Sequence, residues 1–302
     1  MKKVNIFLLI TFFLTWSITF IIFKSGGLTG PFASIGLILC MMMPALSVLI
    51  TTLITKSSFK EIWIKPNFKK NIKYYFIGYF SPVILIILGS ALYFIIFPSH
   101  LDLSMNNGVE NLKLQLQSLS QALPSDLELK SAMIIQLFVS IFLSPILNFI
   151  PCLGEELGWR GYLLPKLIEN NSYFKSSLIA GVIWGIWHAP MIAMGHNYGV
   201  GYIGAPFIGI FAMVVFCIMT GAIFNYITIK TKSCIPATFA HGSLNGFASA
   251  GVIFLSIPNP NMFIGPAPVG IIGGFFFIVV GAICLLKTKK LDEENIETKT
   301  KA

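Results

Sequence analysis

The sequence predicts an all-α fold, a polytopic bundle of about eight transmembrane helices. Composition is the first reason, since 55% of the 302 residues are hydrophobic and only 11% are charged, whereas soluble domains carry about 25% charged residues. Mean hydropathy is +0.80. The second reason is the recurrence of apolar runs of about 20 residues, the length of helix that crosses a bilayer core. The third is the uneven distribution of Lys and Arg between those runs.

The apolar runs are separated by short polar or glycine- and proline-containing stretches, and each run is predicted to be one span. The eight predicted spans cover residues 4–23, 34–54, 75–97, 132–151, 177–194, 206–229, 234–256 and 262–286. The first run begins like a signal peptide, but it continues past about 15 residues and no small-residue cleavage site follows, so an uncleaved helix is expected. The fifth run is the shortest, and without it seven spans would remain.

The basic residues predict how the chain is oriented. Of the 21 Lys and Arg residues, 18 fall in the N-terminus, the even-numbered loops and the C-terminus, and three fall in the remaining loops. Because positive loops stay in the cytoplasm, both termini are predicted to be cytoplasmic in a multi-pass protein of the cell membrane. The basic residues form no patch with interleaved aromatics, so the lipid bilayer and not nucleic acid is the expected partner of the positive charge.

The rest of the chain indicates a single unit. No repeat of 20 to 50 residues and no linker divides residues 1–302, so one integral-membrane domain is predicted. The five cysteines are scattered and odd in number, which predicts neither a disulfide framework nor a thiolate metal site. In the third loop, a short interfacial helix is expected because one helical face carries leucines, and Ser125 with Glu128 predicts a capping box at the start of the fourth span. Those leucines are Leu112, Leu116, Leu119 and Leu123.

Two adjacent carboxylates stand out in the stretch "PCLGEELGWRGYLLP". Of the twelve acidic residues, only Glu155 and Glu156 directly follow a predicted span. Charges at the edge of the hydrocarbon cost a few kcal/mol each, so those present usually face a bundle interior and have partners. Glu156 and Arg160 have the i, i+4 spacing of an ion pair on one helical face. Glu155 projects about 100° away and is predicted to lack that partner.

Two histidines and an asparagine also lie within predicted spans. His188 ends the apolar stretch "AGVIWGIWHAPM", where Pro190 is expected to interrupt the helix. His241 and Asn245 are four residues apart in "PATFAHGSLNGF", so both side chains are predicted to emerge from one helical face. His100 and His196 fall in predicted outer loops and are expected to be ordinary surface residues.

A glutamate, two histidines and an asparagine together suit one kind of chemistry. A carboxylate in an apolar cavity can act as a general base toward water. One imidazole can hold that water, and a second imidazole with an amide N–H can hydrogen-bond the oxyanion of a tetrahedral intermediate. These residues predict a peptidase that attacks with water.

The same residues carry a family resemblance. Glu155 to Arg160 match the motif E-E-x-x-x-R, His188 ends a stretch that stands where the family has F-x-x-x-H, and His241 to Asn245 match H-x-x-x-N. The chain therefore resembles the CAAX protease and bacteriocin-processing family of intramembrane glutamate endopeptidases, also called the CPBP or Abi family. The motifs lie within about 151–256. The departure is Trp184 in place of the motif's Phe, at a position expected to serve packing.

The resemblance implies roles for individual residues. Glu155 and His188 would activate the water, His241 and Asn245 would form the oxyanion site, and Glu156 and Arg160 would support them. It implies an endopeptidase without cofactors that cleaves a peptide or lipid-modified protein substrate near its C-terminus or leader.

Three alternatives remain open at this point. One is a zinc metalloprotease of the CAAX type with Glu155, His188 and His241 as ligands. The second is a bacteriocin self-immunity protein with little proteolytic role. The third is a transporter that uses intramembrane Glu and His as a proton relay, which the absence of an inverted repeat disfavours.

Overall fold

The computed structural model describes residues 2–118, 120–258 and 260–300, with residues 295–300 as backbone only. The predicted helical bundle is confirmed: the described chain is built from helices and their connections, with one isolated bridge between Leu101 and Leu255. The α-helices are α1 (Lys2–Lys24), α2 (Ala33–Ile54), α3 (Ile72–Ile96), α4 (Asn106–Ser118), α5 (Asp126–Leu147), α6 (Phe149–Glu156), α7 (Leu164–Ile168), α8 (Tyr173–Trp187), α9 (Ala189–Ala193), α10 (Phe207–Thr231), α11 (Ile235–Phe247) and α12 (Phe275–Thr300).

Five helices of the described chain are long and apolar enough to cross a membrane, namely α1, α2, α3, α5 and α10. The other three predicted spans differ from the expectation. The fifth, 177–194, is divided between α8, which ends at Trp187, and the short α9. The seventh, 234–256, is helical only as far as Phe247. The eighth, 262–286, begins as a loop, and its helix starts at Phe275.

The physical reason for these differences is that an apolar run predicts that a segment is removed from water, but it does not predict that the segment is helical. The segment "PNPNMFIGPAPVGIIGG" is apolar but rich in Pro and Gly, which remove backbone donors and favour turns. In the C-terminal tail, α12 continues through Lys and Glu residues, which are good helix formers.

The third loop contains both features predicted for it, a capping box and a short helix. The capping box is confirmed, since the Ser125 side chain accepts from the Glu128 backbone N–H and the Glu128 carboxylate accepts from the Ser125 backbone. The short helix is present as α4, and Leu112 and Leu116 pack against the cluster around Val109 and Met133. Leu119 lies outside the described residues.

The acidic motif lies on a separate helix. A turn at Asn148 divides α5 from α6, so the fourth predicted span does not run unbroken into Glu155 and Glu156. After Glu156 the backbone widens into a π-helical segment, Leu157–Leu163. Such segments occur often at functional sites.

Close packing against α2 fixes the position of this motif. Gly154 and Gly158 have the small-xxx-small spacing that lets membrane helices approach each other closely. A Cβ at Gly158 would lie 2.4 Å from the Pro44 ring, and one at Gly154 would lie 2.6 Å from the Met41 carbonyl oxygen. The backbone of the segment that carries the two glutamates is thereby held against the middle of α2.

The basic segments gather at one end of the bundle. The Trp63 N–H donates to the Gly161 carbonyl and the Cys234 N–H donates to the Trp63 carbonyl, while the Asp292 carboxylate accepts from the Tyr173 and Phe174 backbones. At the other end, the segment after α3 pairs with the segment after α11 through Leu101 and Leu255. The loops assigned to one side by charge therefore lie together.

Candidate active site

A cavity of about 340 Å³ lies among α2, α6, α8, α10 and α11, and the four residues predicted to be catalytic all line it. They are Glu155, His188, His241 and Asn245. Much of the remaining wall is apolar and includes Leu37, Met41, Met213 and Phe216. The structure thus brings together side chains that lie as much as 90 residues apart in the sequence.

Glu156 is the structural centre of the buried charges. Its Oε1 accepts from Arg160 Nη1 at 3.0 Å, which is the predicted ion pair, and both side chains are buried. The same oxygen accepts from His241 Nδ1 at 2.9 Å. Arg160 Nε donates to the Asn225 side chain at 3.1 Å. Glu156 therefore holds one histidine of the cavity in addition to the arginine, a contact that the sequence did not indicate.

The contact with Glu156 determines what His241 can do. Because a carboxylate accepts from Nδ1, the proton of the neutral ring is on Nδ1, and Nε2 is an acceptor. Only the imidazolium form also donates from Nε2. Because Glu156 is already paired with Arg160, that form is balanced in charge only when the nearby Glu155 is ionised as well.

Among the described residues, Arg160 forms its ion pair with Glu156 and not with Glu155, as the helical spacing predicted, but Glu155 has a different partner. The indole N–H of Trp184 donates to Glu155 Oε2 at 2.9 Å, and both residues are buried. Among the described residues, Glu155 Oε1 has no protein partner. One oxygen of the carboxylate is fixed, and the other is left for a molecule in the cavity.

His188 lies where the helix was expected to break. α8 ends at Trp187, and Pro190 lies in the first turn of α9. Nδ1 of His188 lies 2.8 Å from the Trp184 carbonyl oxygen. Since a carbonyl only accepts, Nδ1 carries the proton and Nε2 of the neutral ring keeps its lone pair. The ring can therefore accept a hydrogen bond in the cavity.

Asn245 lies one turn after His241 on α11, as the spacing predicted. One of its amide N–H groups contacts Cys152 Sγ at 3.7 Å, which is a weak interaction because sulfur is a poor acceptor. The amide is exposed in the lining of the cavity and retains donor capacity for another group.

Three further residues belong to the site and were missed or misplaced. Trp184 was expected only to pack, but it donates to Glu155. Trp187 also lines the cavity, and its indole N–H donates to Thr15 Oγ1 at 2.9 Å. His196 was expected on the surface, but it is half-buried and lines the cavity. The Trp-for-Phe exchange was the one sequence signal available, because indole adds an N–H donor that Phe lacks.

The sequence left open a zinc site formed by Glu155, His188 and His241. Zinc sites in enzymes use three or more closely grouped His, Cys, Asp or Glu ligands. Within the described ranges, no three such side chains are grouped in this way. The hydrogen bonds of His188 Nδ1, His241 Nδ1 and Glu155 Oε2 to protein atoms leave Nε2 of each neutral ring and Glu155 Oε1 as acceptors, so these contacts do not distinguish a bound water from a bound metal.

The fold and the site define a polytopic membrane protein with a polar, glutamate- and histidine-lined cavity among its helices. Residues 132–247 match the family model of the type II CAAX prenyl endopeptidases that are Rce1-like. A CAAX prenyl protease 2 from Methanococcus maripaludis is 46% identical over 44 residues, which cover 15% of this chain and 16% of that protein. These matches confirm the resemblance of the chain to the CAAX protease and bacteriocin-processing family.

Proposed function

We propose that this protein is an intramembrane endopeptidase in which Glu155 and His188 activate a water molecule. The observation that carries the proposal is the convergence of Glu155, His188, His241 and Asn245 on one cavity, with Glu156 bound away in its ion pair. The matched family and the matched relative are both described as CAAX prenyl proteases, which supports peptide-bond hydrolysis.

The reaction begins with water held between Glu155 Oε1 and His188 Nε2. As the water oxygen attacks the carbonyl carbon of the peptide, the Glu155 carboxylate takes a proton from it. The carbonyl oxygen becomes an oxyanion, which accepts from the Nε2–H of a doubly protonated His241 and from the Asn245 amide. Glu155 then returns its proton to the amide nitrogen, and the C–N bond breaks to give an acid and an amine.

The substrate class follows from the setting of the cavity. A site between membrane helices is reached by a substrate that is itself held at the bilayer, and the names of the matched family and relative specify prenylated C-a-a-X chains. We therefore propose a lipid-modified protein or peptide as the substrate.

The test is cleavage of three peptides by purified protein in liposomes, with products identified by mass spectrometry. The peptides are a farnesylated C-a-a-X peptide, the same peptide without the lipid, and a double-glycine leader peptide. Cleavage of the farnesylated peptide with preference over the unmodified one supports the proposal. Cleavage of the leader peptide alone would redirect it to bacteriocin processing, and cleavage of none would favour an immunity or transport role, which a flux assay in the same liposomes would distinguish.

We also propose that both termini are cytoplasmic. The support is that the basic loops lie together at the end of the bundle where the Asp292 carboxylate binds the start of α8. Labelling of a Lys69→Cys variant, at an exposed loop position, should occur only from the cytoplasmic side. Labelling from outside intact cells would reverse the orientation.

A further inference from the structure

Trp184 forms hydrogen bonds with two polar residues of the cavity in addition to its packing contacts. It lies one helical turn before His188 and is buried. Its indole N–H donates to Glu155 Oε2 at 2.9 Å, and its backbone carbonyl accepts from His188 Nδ1 at 2.8 Å. One residue thus orients both members of the water-activating pair, through two different chemical groups.

The indole ring is itself held in place on several sides. The Arg160 guanidinium lies over the ring, 4.2 Å from its centroid, a distance typical of cation–π contacts. The His241 ring meets it edge to face at 5.5 Å, and Phe224 contacts it at 6.1 Å. With neighbours on these sides, the ring cannot rotate without displacing them, and the direction of its N–H is fixed.

An indole N–H has a property that suits this position. It donates and never accepts, and it does not titrate in water. It can therefore bind one oxygen of a carboxylate without competing for the proton that the other oxygen takes from water. A hydroxyl or imidazole at the same place would offer a second acceptor, and the Phe of the family motif offers no donor.

We propose that Trp184 is a positioning residue, whose N–H locks Glu155 Oε2 so that Oε1 is directed at the attacking water. The inference rests on the proposed function for its catalytic consequence, while the hydrogen bond itself is testable without any catalysis. It assigns to this chain a donor that the F-x-x-x-H pattern does not contain.

The activity test is Trp184→Phe, which keeps an aromatic ring beneath Arg160 but removes the donor together with part of the ring's buried volume, a loss that the control below shares. Hydrogen bonds to charged groups contribute about 1.5–3 kcal/mol, so kcat should fall about 10- to 100-fold while KM changes less than about twofold. Loss of a donor to the Glu155 carboxylate favours its protonated form. In a plot of kcat/KM against pH, the acidic limb should therefore move to higher pH by about one unit. An unmoved acidic limb with kcat within threefold of the parent would overturn the proposal.

The matched control is Trp187→Phe on the same helix. It also removes an indole N–H bond, but that bond goes to Thr15 and not to Glu155. The acidic limb should stay where it is in the parent, whatever the change in stability. A limb that moves equally in both variants would show that any loss of a buried indole donor has this effect, and would overturn the specific role of Trp184.

A second measurement does not depend on activity. In protein labelled with ¹⁵N-tryptophan, the indole peak missing from the Trp184→Phe variant belongs to Trp184. Its chemical shift should follow the ionisation of Glu155 with pH and should lose that dependence in Glu155→Gln. A Trp184 peak that is independent of pH in the parent would overturn the hydrogen bond. If the parent cleaves no peptide but this titration is present, the proposed function fails and the positioning bond stands.

Discussion

Two clusters of carboxylates and cations hold the segment between Glu155 and Glu169, and they lie in different surroundings. In the first, Glu156 binds Arg160 with both side chains almost fully buried, at 0% and 1% exposure. In the second, Lys166 binds Glu61 and Glu169 at 2.6 Å each, and these two carboxylates are 42% and 56% exposed. The first cluster lies beside the cavity, and the second lies at the end of the bundle where the basic loops meet.

The contrast shows why spacing alone does not assign a role. Both clusters contain a helical pair, i, i+4 in one and i, i+3 in the other. In the second cluster Lys166 is only 9% exposed, but water reaches both carboxylates, so each pair is expected to contribute about 0–1 kcal/mol. A buried pair loses that hydration, so removing one partner leaves an uncompensated charge that costs about 3–5 kcal/mol. The two clusters contain the same kinds of charge. Burial beside the cavity is what distinguishes the Glu156–Arg160 cluster from the Lys166 cluster.

The largest expected effect is on Glu155, the carboxylate next to the buried cluster that has no ionic partner of its own. Glu155→Gln keeps the size of the side chain and an acceptor for Trp184, but the amide cannot take a proton from water. Cleavage should fall about 10²- to 10⁴-fold, the usual contribution of a general base, while thermal unfolding is unchanged. Activity within tenfold of the parent would remove Glu155 from the mechanism.

The next effect concerns the oxyanion site. Asn245→Ala removes an amide donor from the cavity wall and should lower kcat about 10²- to 10³-fold with little change in KM. Steady-state kinetics on the same peptide measure the two constants separately. A rise in KM at constant kcat would indicate that Asn245 binds substrate and does not stabilise the intermediate.

The third effect tests burial directly. Glu156→Gln leaves Arg160 without its ionic partner inside the bundle and should lower the free energy of unfolding in detergent by about 3 kcal/mol or more. Glu169→Gln in the exposed cluster is the matched control and should change it by less than about 1 kcal/mol. Equal effects in the two variants would contradict the contrast between the clusters.

The smallest effect is a pH dependence in the exposed cluster. The hydrogen bond from Lys166 holds the pKa of the Glu61 carboxyl below its ordinary value of 4.5. A lowered folded-state pKa contributes stability that is present above the unfolded pKa and is lost as pH falls through the folded one. The parent should therefore exceed Glu61→Gln in thermal stability by about 0–1 kcal/mol at pH 7, and the difference should disappear as the pH falls below the unfolded value and through the lowered folded-state pKa. A difference that persists in acid would show that Glu61 acts through packing.

The sequence predicted those features of the site that depend on local spacing. The Glu156–Arg160 pair, the end of α8 at His188 and the common face of His241 and Asn245 follow from helical geometry and from Pro190. The contacts made across the bundle were not predictable in this way. His241 binds Glu156 from 85 residues away, and Trp184 binds Glu155 from 29 residues away.

The predicted membrane spans also show what hydropathy alone cannot specify. Hydropathy identified α1, α2, α3, α5 and α10, whose long apolar sequences allow little but a helix. The other three segments are helical only in part, because Gly, Pro or the break at His188 interrupts apolar sequence, and burial among other helices and exposure to lipid select the same residue types. His196 lies in a loop, as predicted, but the sequence could not show that this loop contributes to the cavity wall.

The most direct test of the account is the metal content and activity of the parent protein after dialysis against a strong chelator. If Glu155 and His188 activate the water, the dialysed protein should retain full cleavage activity with negligible zinc by elemental analysis. Stoichiometric zinc in the active protein, with activity lost on its removal and restored by its return, would contradict the glutamate mechanism and establish the metalloprotease alternative.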